Sequence, residues 1–265
     1  MTNTTENHDF VDFVHRLADR AGAAILPHFR THGSVGNKSE EAFDPVTDAD
    51  RHAEVAMRAM IEAAYPYHGI FGEEFPDKPP KGPHRWLLDP IDGTKAFVIG
   101  LPVWGTLIGL MEHERPIVGM MDQPYTGERF WGSSAGAFFR GPGVSARRIA
   151  ARPCASLPDA ILAATTPDMF KRDEPERFAR LSKACRMTRF GGDCYSYCML
   201  AMGFLDIVAE ASLKPFDIVP LIPIIEAAGG KVTTWEGGDP SGGGRILAVG
   251  DPGLHEGAMA LLAAK

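Results

Sequence analysis

The segment Trp86-Leu87-Leu88-Asp89-Pro90-Ile91-Asp92-Gly93-Thr94 sets two carboxylates three residues apart across a proline turn, with a glycine next. Carboxylates this close repel one another unless a cation sits between them. Gly93 permits a close approach of backbone to a ligand, and the N–H groups after Asp92 face an anion if a helix opens at Thr94. One short loop can then hold a metal and a phosphate together. Taken alone, the same residues read equally well as a turn whose aspartate caps a helix.

Other acidic motifs bear on that choice. Gly72-Glu73-Glu74 closes a short apolar run, Asp44-Pro45-Val46-Thr47-Asp48-Ala49-Asp50 is a dense acidic cluster, and Lys214-Pro215-Phe216-Asp217 precedes an apolar helix. Each has an ordinary reading by itself: solvated acids, a capped helix start, an N-cap. Jointly they offer Glu73, Asp89, Asp92 and Asp217, with Asp50 and Glu74 nearby, and no His or Cys spacing competes. An all-oxygen set suits magnesium or manganese rather than zinc or copper. Two ions clamped by shared carboxylates can activate a water and stabilise a leaving alkoxide. Hydrolysis of a phosphate monoester demands that equipment, because its uncatalysed rate is among the slowest known.

The elements that must position these acids can be read from periodicity. Phe10, Val14, Leu17, Ala21 and Ile25 recur at three- and four-residue steps, giving one apolar helical face. Ala53, Met57, Met60, Ile61 and Ala64 predict a second helix, capped by Thr47 with Asp50 three positions on. His32 to Asp48 between them reads as a loop or loose hairpin. Gly69–Phe71 and Trp86–Leu88 look like strands that end at acids. Short β-rich runs at 103–111, 117–123, 129–132 and 137–140 suggest an antiparallel meander. Beyond them the pattern alternates: strand 161–164, helix 175–184, strand 187–190, helix 194–202, strand 206–209, helix 218–228. Strands at 231–235 and 245–249 and a terminal helix from about Leu254 complete it. Pro220 falls in the first turn of the 218–228 helix, whereas Pro223 lies deeper and should kink it. This order implies a layered α+β or α/β sandwich, taken as α+β, in one domain over 1–265, with a soft internal boundary near 141–158.

Composition limits the partners. The 265 residues carry a formal net charge of −7, which argues against a nucleic-acid partner held by counterion release. No stretch approaches the roughly 20 apolar residues of a membrane span, and Met1 to Asp9 lacks the basic and apolar runs of a signal peptide. The four cysteines show neither C-x-x-C nor disulfide-rich spacing, and Cys194 and Cys198, one helical turn apart, suit reduced core thiols. A cytoplasmic protein is the simplest expectation.

The combination of Asp44-x-x-Thr47-x-x-Asp50, Gly72-Glu73-Glu74, Asp89-Pro90-Ile91-Asp92-Gly93-Thr94 and Phe216-Asp217 with Glu226-Ala227-Ala228-Gly229-Gly230 resembles the inositol monophosphatase family over nearly the whole chain. The resemblance implies a five-layered α-β-α-β-α sandwich, usually a homodimer, that hydrolyses a small phosphorylated alcohol with two to three magnesium ions. It implies that Glu73, Asp89 and the carbonyl of Ile91 hold a first magnesium, and Asp89, Asp92 and Asp217 a second, with Glu73 helping to place a third through water. It gives Thr94 and Asp50 the nucleophilic water, Gly93 and Thr94 amides the phosphate, and Lys38 a position near the outer metal.

Within the family, Gly192-Asp193-Cys194-Tyr195, Leu213-Lys214-Pro215-Phe216-Asp217, Pro223, Trp104 and Gln123-Pro124 look most like the histidinol-phosphatase branch. By that resemblance Glu210 reaches the alcohol portion of the substrate, and Arg189 and Asp193 enter the same region. Glu210 and Asp193 could pair with the ammonium and imidazole of histidinol phosphate. The ordinary reading keeps Asp193 as an N-cap and Glu210 as a surface strand end. Rival expectations are a sister phosphatase for inositol monophosphate, a nucleotide or a sugar bisphosphate, and a non-catalytic partner of the transcription machinery.

Overall fold

The computed structural model describes residues 4–31, 35–37 and 45–263, so Lys38 and Asp44 lie outside the described residues. The periodic apolar residues from Phe10 to Ile25 form the buried face of α1 (Thr4–Ile25). A two-stranded hairpin follows, β1 (Val35–Asn37) against β2 (Pro45–Thr47), and leads into α2 (Asp48–Ala64). The start of α2 is a reciprocal cap, with the Thr47 N–H and Oγ1 both donating to Asp50 Oδ2 at 2.8 and 2.5 Å. Ala53, Met57 and Ile61 are buried as expected, while Ala64 at the last turn is exposed.

A seven-stranded sheet comes next. It contains β3 (Gly69–Gly72), β4 (His84–Asp92), β5 (Gly105–Glu112), β6 (Arg115–Gln123), β7 (Glu128–Ser133), β8 (Gly136–Gly141) and β9 (Val144–Arg148), with α3 (Thr94–Val98) between β4 and β5. β3 runs parallel to β4, and the rest is the predicted antiparallel meander. β9 escapes a sequence reading because all five of its residues are exposed, leaving no apolar alternation to see. β4 also runs past Asp89, where the sequence suggests an end, and continues to Asp92.

The chain crosses to a second sheet over 149–160, a stretch that overlaps the soft boundary expected near 141–158. There the Ala151 N–H donates to the Ala228 carbonyl at 2.9 Å. The remaining elements are β10 (Ile161–Ala164), α4 (Glu174–Ala184), β11 (Met187–Phe190), α5 (Asp193–Ala201), β12 (Ile207–Leu213), α6 (Pro215–Ile218), α7 (Ile222–Ala227), β13 (Lys231–Thr234), β14 (Gly244–Val249) and α8 (His255–Ala263). The five strands order as β11-β10-β12-β14-β13, the first three parallel and β14 antiparallel to both its neighbours.

Three apolar cores hold the layers together. One lies between α1, α2 and the larger sheet, one between the two sheets around α5, α6 and α7, and one between the smaller sheet and α4 and α8. The order is therefore α-β-α-β-α, the expected sandwich. α1 is pinned to its sheet by buried Arg129, whose guanidinium donates to Asp122 Oδ1 at 2.6 Å and to Asp19 Oδ1 at 2.8 Å. Among the described residues no helix is long and apolar enough to cross a membrane.

The helix expected at 218–228 is instead two pieces, with a break over 219–221. Pro223 cannot donate to the Val219 carbonyl, so the α-helical ladder stops there rather than bending. The break lies on a stripe of glycines that are paired across three strands, Gly109 with Gly119 and Gly119 with Gly132. A methyl added at Gly109 would stand 3.2 Å from the nitrogen of Pro220, and one at Gly119 would stand 2.8 Å from its carbonyl carbon. Bare glycine surface lets the proline-broken segment lie directly on the sheet, and Asp217 is carried in with it.

Candidate active site

Side chains of a regular strand alternate faces, so residues three apart point to opposite sides. Leu87 of β4 packs into the core between the sheets, whereas Trp86 and Leu88 pack against α1 and α2. Asp89 shares the side of Leu87, and Asp92 would fall on the other. The pairing to β5 shows why it does not. Asp89 faces Leu107 and Asp92 faces Gly105, so three steps on β4 match two on β5. This bulge holds one surplus residue and returns Asp92 to the side of Asp89. It is fixed internally, with the Ile91 N–H donating to Asp89 Oδ1 at 3.0 Å and Thr106 Oγ1 donating to the Pro90 carbonyl at 2.8 Å.

Asp217 joins from α6. Its Oδ2 accepts the Lys214 N–H at 2.7 Å, and neighbouring Phe216 meets Phe71 of β3 edge-on at 5.7 Å between centroids. Asp89, Asp92 and Asp217 each present a carboxylate oxygen within 4.8 Å of the others. Glu73, just beyond β3, donates its backbone N–H to the Leu88 carbonyl at 3.2 Å, and its side chain hydrogen-bonds Asp89. Burial first, then Glu73, Asp92 and Asp217, hold the Asp89 carboxyl well above the usual carboxylate range. Burial, Asp193 and Asp217 do the same to Asp92, and burial raises Asp217 to about 7. Carboxylates so gathered need either protons or a multivalent cation at neutral pH, and an all-oxygen donor set fits a hard divalent cation.

The anion-facing part follows at once. Gly93 has φ 83°, a left-handed conformation that favours glycine, and α3 opens at Thr94. Thr94 Oγ1 donates to the Ile91 carbonyl at 3.1 Å, leaving that carbonyl a second lone pair and the hydroxyl its own acceptor sites. Asp50 is fully buried at the start of α2, and the preceding strand β2 packs against α3.

On the far side a small cavity of about 90 Å³ is lined by Asp92, Thr165, Asp193, Tyr197, Glu210 and Asp217, among others. Asp193 opens α5 with φ 41°, packs against Gly93, and is raised to about 6 by burial against the opposing charge of Lys95. Gly192 holds the N-cap position, and the Cys194 N–H donates to Asp92 Oδ2 at 2.7 Å. Glu210 is not a surface strand end. It is buried inside β12, accepting the Thr165 N–H at 2.6 Å and the Tyr197 hydroxyl at 2.9 Å, and burial lifts it to about 7. Arg189 lies apart, exposed on the edge strand β11 and away from this cavity. Tyr197 and Thr165 were not singled out from sequence. Tyr197 sits one helical turn after Asp193, on the face that meets β12, and that spacing was the available signal.

These features define an enzyme site of carboxylates beside an anion-facing turn, and comparison with known proteins agrees. Residues 6–265 match the inositol monophosphatase family. The chain is 37% identical to the bifunctional phosphatase IMPL2, chloroplastic, of Arabidopsis thaliana, over 96% of this chain and 75% of that one. It is 34% identical to a histidinol-phosphatase of Mycobacterium tuberculosis, over 92% and 95% of the two chains. A solved inositol monophosphatase from Zymomonas mobilis superposes with a TM-score of 0.86 at 40% identity, covering 97% of this chain and 98% of that one. The chain belongs to the inositol monophosphatase family, which makes it a phosphomonoesterase by class.

Proposed function

We propose that the protein hydrolyses histidinol phosphate to histidinol and phosphate, with magnesium held by Glu73, Asp89, Asp92, Asp217 and the Ile91 carbonyl. Bound there, two to three magnesium ions would neutralise the phosphate and make a water nucleophilic near neutral pH. The chain's own residues have separate tasks in this reading. Gly93 and Thr94 bind the phosphate through backbone N–H groups, while Asp50 and Thr94 orient the attacking water and take its proton. The water oxygen adds to phosphorus as the ester P–O bond breaks, and the departing alkoxide is protonated by water.

One observation carries the substrate reading: two carboxylates outside the metal set, Asp193 and Glu210, line one cavity together with Asp92 and Asp217. A substrate with a phosphate at one end and two basic nitrogens at the other matches that division of charge, each charged contact adding roughly 1.5–3 kcal/mol. Inositol monophosphate has only hydroxyls to offer there. The relatives named histidinol-phosphatase support the same choice. Free thiols at Cys154, Cys185, Cys194 and Cys198 suit a reducing, cytoplasmic location, and the homodimer of the sequence reading is retained. Purified protein with magnesium should release phosphate from histidinol phosphate with a kcat/KM at least tenfold above that for inositol 1-phosphate. The reverse order would refute the assignment.

A further inference from the structure

Glu54 is a glutamate of α2 with no accessible surface, four residues past Asp50 and outside the carboxylate cluster. A carboxylate is seldom buried so completely without holding something in place. Its Oε2 accepts the Glu74 N–H at 2.8 Å, and its Oε1 accepts Arg58 Nε at 2.7 Å. Arg58 continues across the same turn, donating to the carbonyls of Phe75 and Pro76 at 3.1 Å each. Its guanidinium also lies 6.0 Å from the centroid of the Phe75 ring. Gly72 completes the arrangement. A methyl built there would overlap Glu54 Oε1 and lie 2.8 Å from Oε2, so the carboxylate rests directly against the glycine backbone.

The segment held in this way contains Glu73. Its own N–H is fixed on β4 through the Leu88 carbonyl, one residue before Asp89, and the next N–H is fixed on α2 through Glu54. Both peptide units flanking the Glu73 side chain are therefore anchored, one to the sheet and one to a buried ion pair. Without the second anchor the turn 73–76 would lose its tie to α2 beside the cluster and keep the Glu73 N–H to Leu88 and the Ile70–Lys78 bridge at its far end. Side chains that touch no metal but orient its ligands typically change metal affinity 10–100-fold when removed.

We infer that Glu54 and Arg58 form a clamp that positions Glu73 for the divalent cation, making them positioning residues of the reaction. The inference rests on the phosphatase reading, because it presupposes that Glu73 holds a cation. The test compares wild type with Glu54→Gln, Arg58→Met, Glu73→Gln and the double variant Glu54→Gln/Glu73→Gln. Mn2+ binding is followed by electron paramagnetic resonance, and phosphate release is measured as a function of magnesium. Arg58→Met removes a partly exposed side chain and leaves buried Glu54 in place as acceptor of the Glu74 N–H, so it tests the clamp even if Glu54→Gln does not fold.

The expected result is about tenfold weaker Mn2+ binding in either clamp variant, with the magnesium requirement rising by the same factor and kcat at saturating magnesium falling proportionally less. The double variant should bind no more weakly than Glu73→Gln alone, because the clamp has nothing left to position. Clamp variants that lower the melting temperature yet bind Mn2+ like wild type would overturn the inference and leave a merely structural ion pair. Multiplicative losses in the double variant would overturn it as well. Failure of wild type itself to bind Mn2+ or release phosphate would instead defeat the phosphatase reading, and the clamp with it.

Discussion

Gly119→Ala adds one methyl in the middle of the glycine stripe under the broken helix. The methyl would overlap the Pro220 carbonyl oxygen and stand 2.8 Å from the carbonyl carbon. Carbon atoms prefer about 3.5–4.0 Å, so the proline must retreat by roughly 0.7 Å or more. Overpacking of this kind costs about 1–3 kcal/mol, set against roughly 0.4–1 kcal/mol regained from the lower entropy of the unfolded chain. The net loss of about 1–2 kcal/mol corresponds to a melting temperature lower by roughly 2–8 °C for a chain of this size. Asp217 lies three residues before Pro220 and should move with it, and displacements near 1 Å cost about a hundredfold in rate. Turnover should therefore fall roughly tenfold to a hundredfold with a raised magnesium requirement. Thermal unfolding and magnesium-dependent phosphate release measure the two effects. Gly82→Ala is the control, since an added methyl there meets nothing within 4 Å. A Gly119→Ala protein with the melting temperature and magnesium requirement of wild type would refute the reasoning.

Other expectations follow from the same geometry. Burial raises the Asp217 carboxyl to about 7, with Asp89 and Asp92 also raised. Their contribution to the stability of metal-free protein is thus present below about pH 4 and lost as pH climbs toward 7. Melting curves in chelator should fall across that window, and added magnesium should flatten them; a flat curve in chelator contradicts the shifts. Asp89→Asn should nearly abolish turnover while melting higher than wild type in chelator at pH 8, because one of the repelling charges is gone. Retained turnover would remove Asp89 from the site. Arg129→Met strands buried Asp122 and should cost about 3–5 kcal/mol, whereas adding Asp122→Leu should recover most of it. Equal melting temperatures for the single and double variants would show that the pair is not what holds α1.

Both helical faces of the N-terminal pair and the acids Glu73, Asp89, Asp92 and Asp217 that the fold gathers could be read from local periodicity and from motifs only a few residues long, whereas the five-layer order came from the family resemblance. Less legible were features set by pairing with distant chain. β9 has no apolar face of its own, and β4 continues past Asp89 only because Thr106 and the β5 backbone support it. Pro223 did announce a kink in the helix after Asp217. That it is a clean break depends on Gly109, Gly119 and Gly132, about 90–110 residues upstream, which offer a surface for it. Glu210 looked like a strand end because its partners, Thr165 and Tyr197, come from two other elements. Arg189 sits close to Asp193 in sequence, but β11 turns it to the outer edge of the sheet.

The surplus residue in β4 makes the site depend on chain length as well as on side-chain identity. Deleting Pro90 would iron out the bulge and leave Asp92 two positions after Asp89, still on its side, but it would remove the carbonyl that Thr106 Oγ1 bonds and undo the Ile91-to-Asp89 turn that fixes the two acids. Point substitutions at Pro90 leave that count intact. Gains and losses of single residues in this strand are therefore the changes that its chemistry can least absorb, even where the sheet itself would tolerate them.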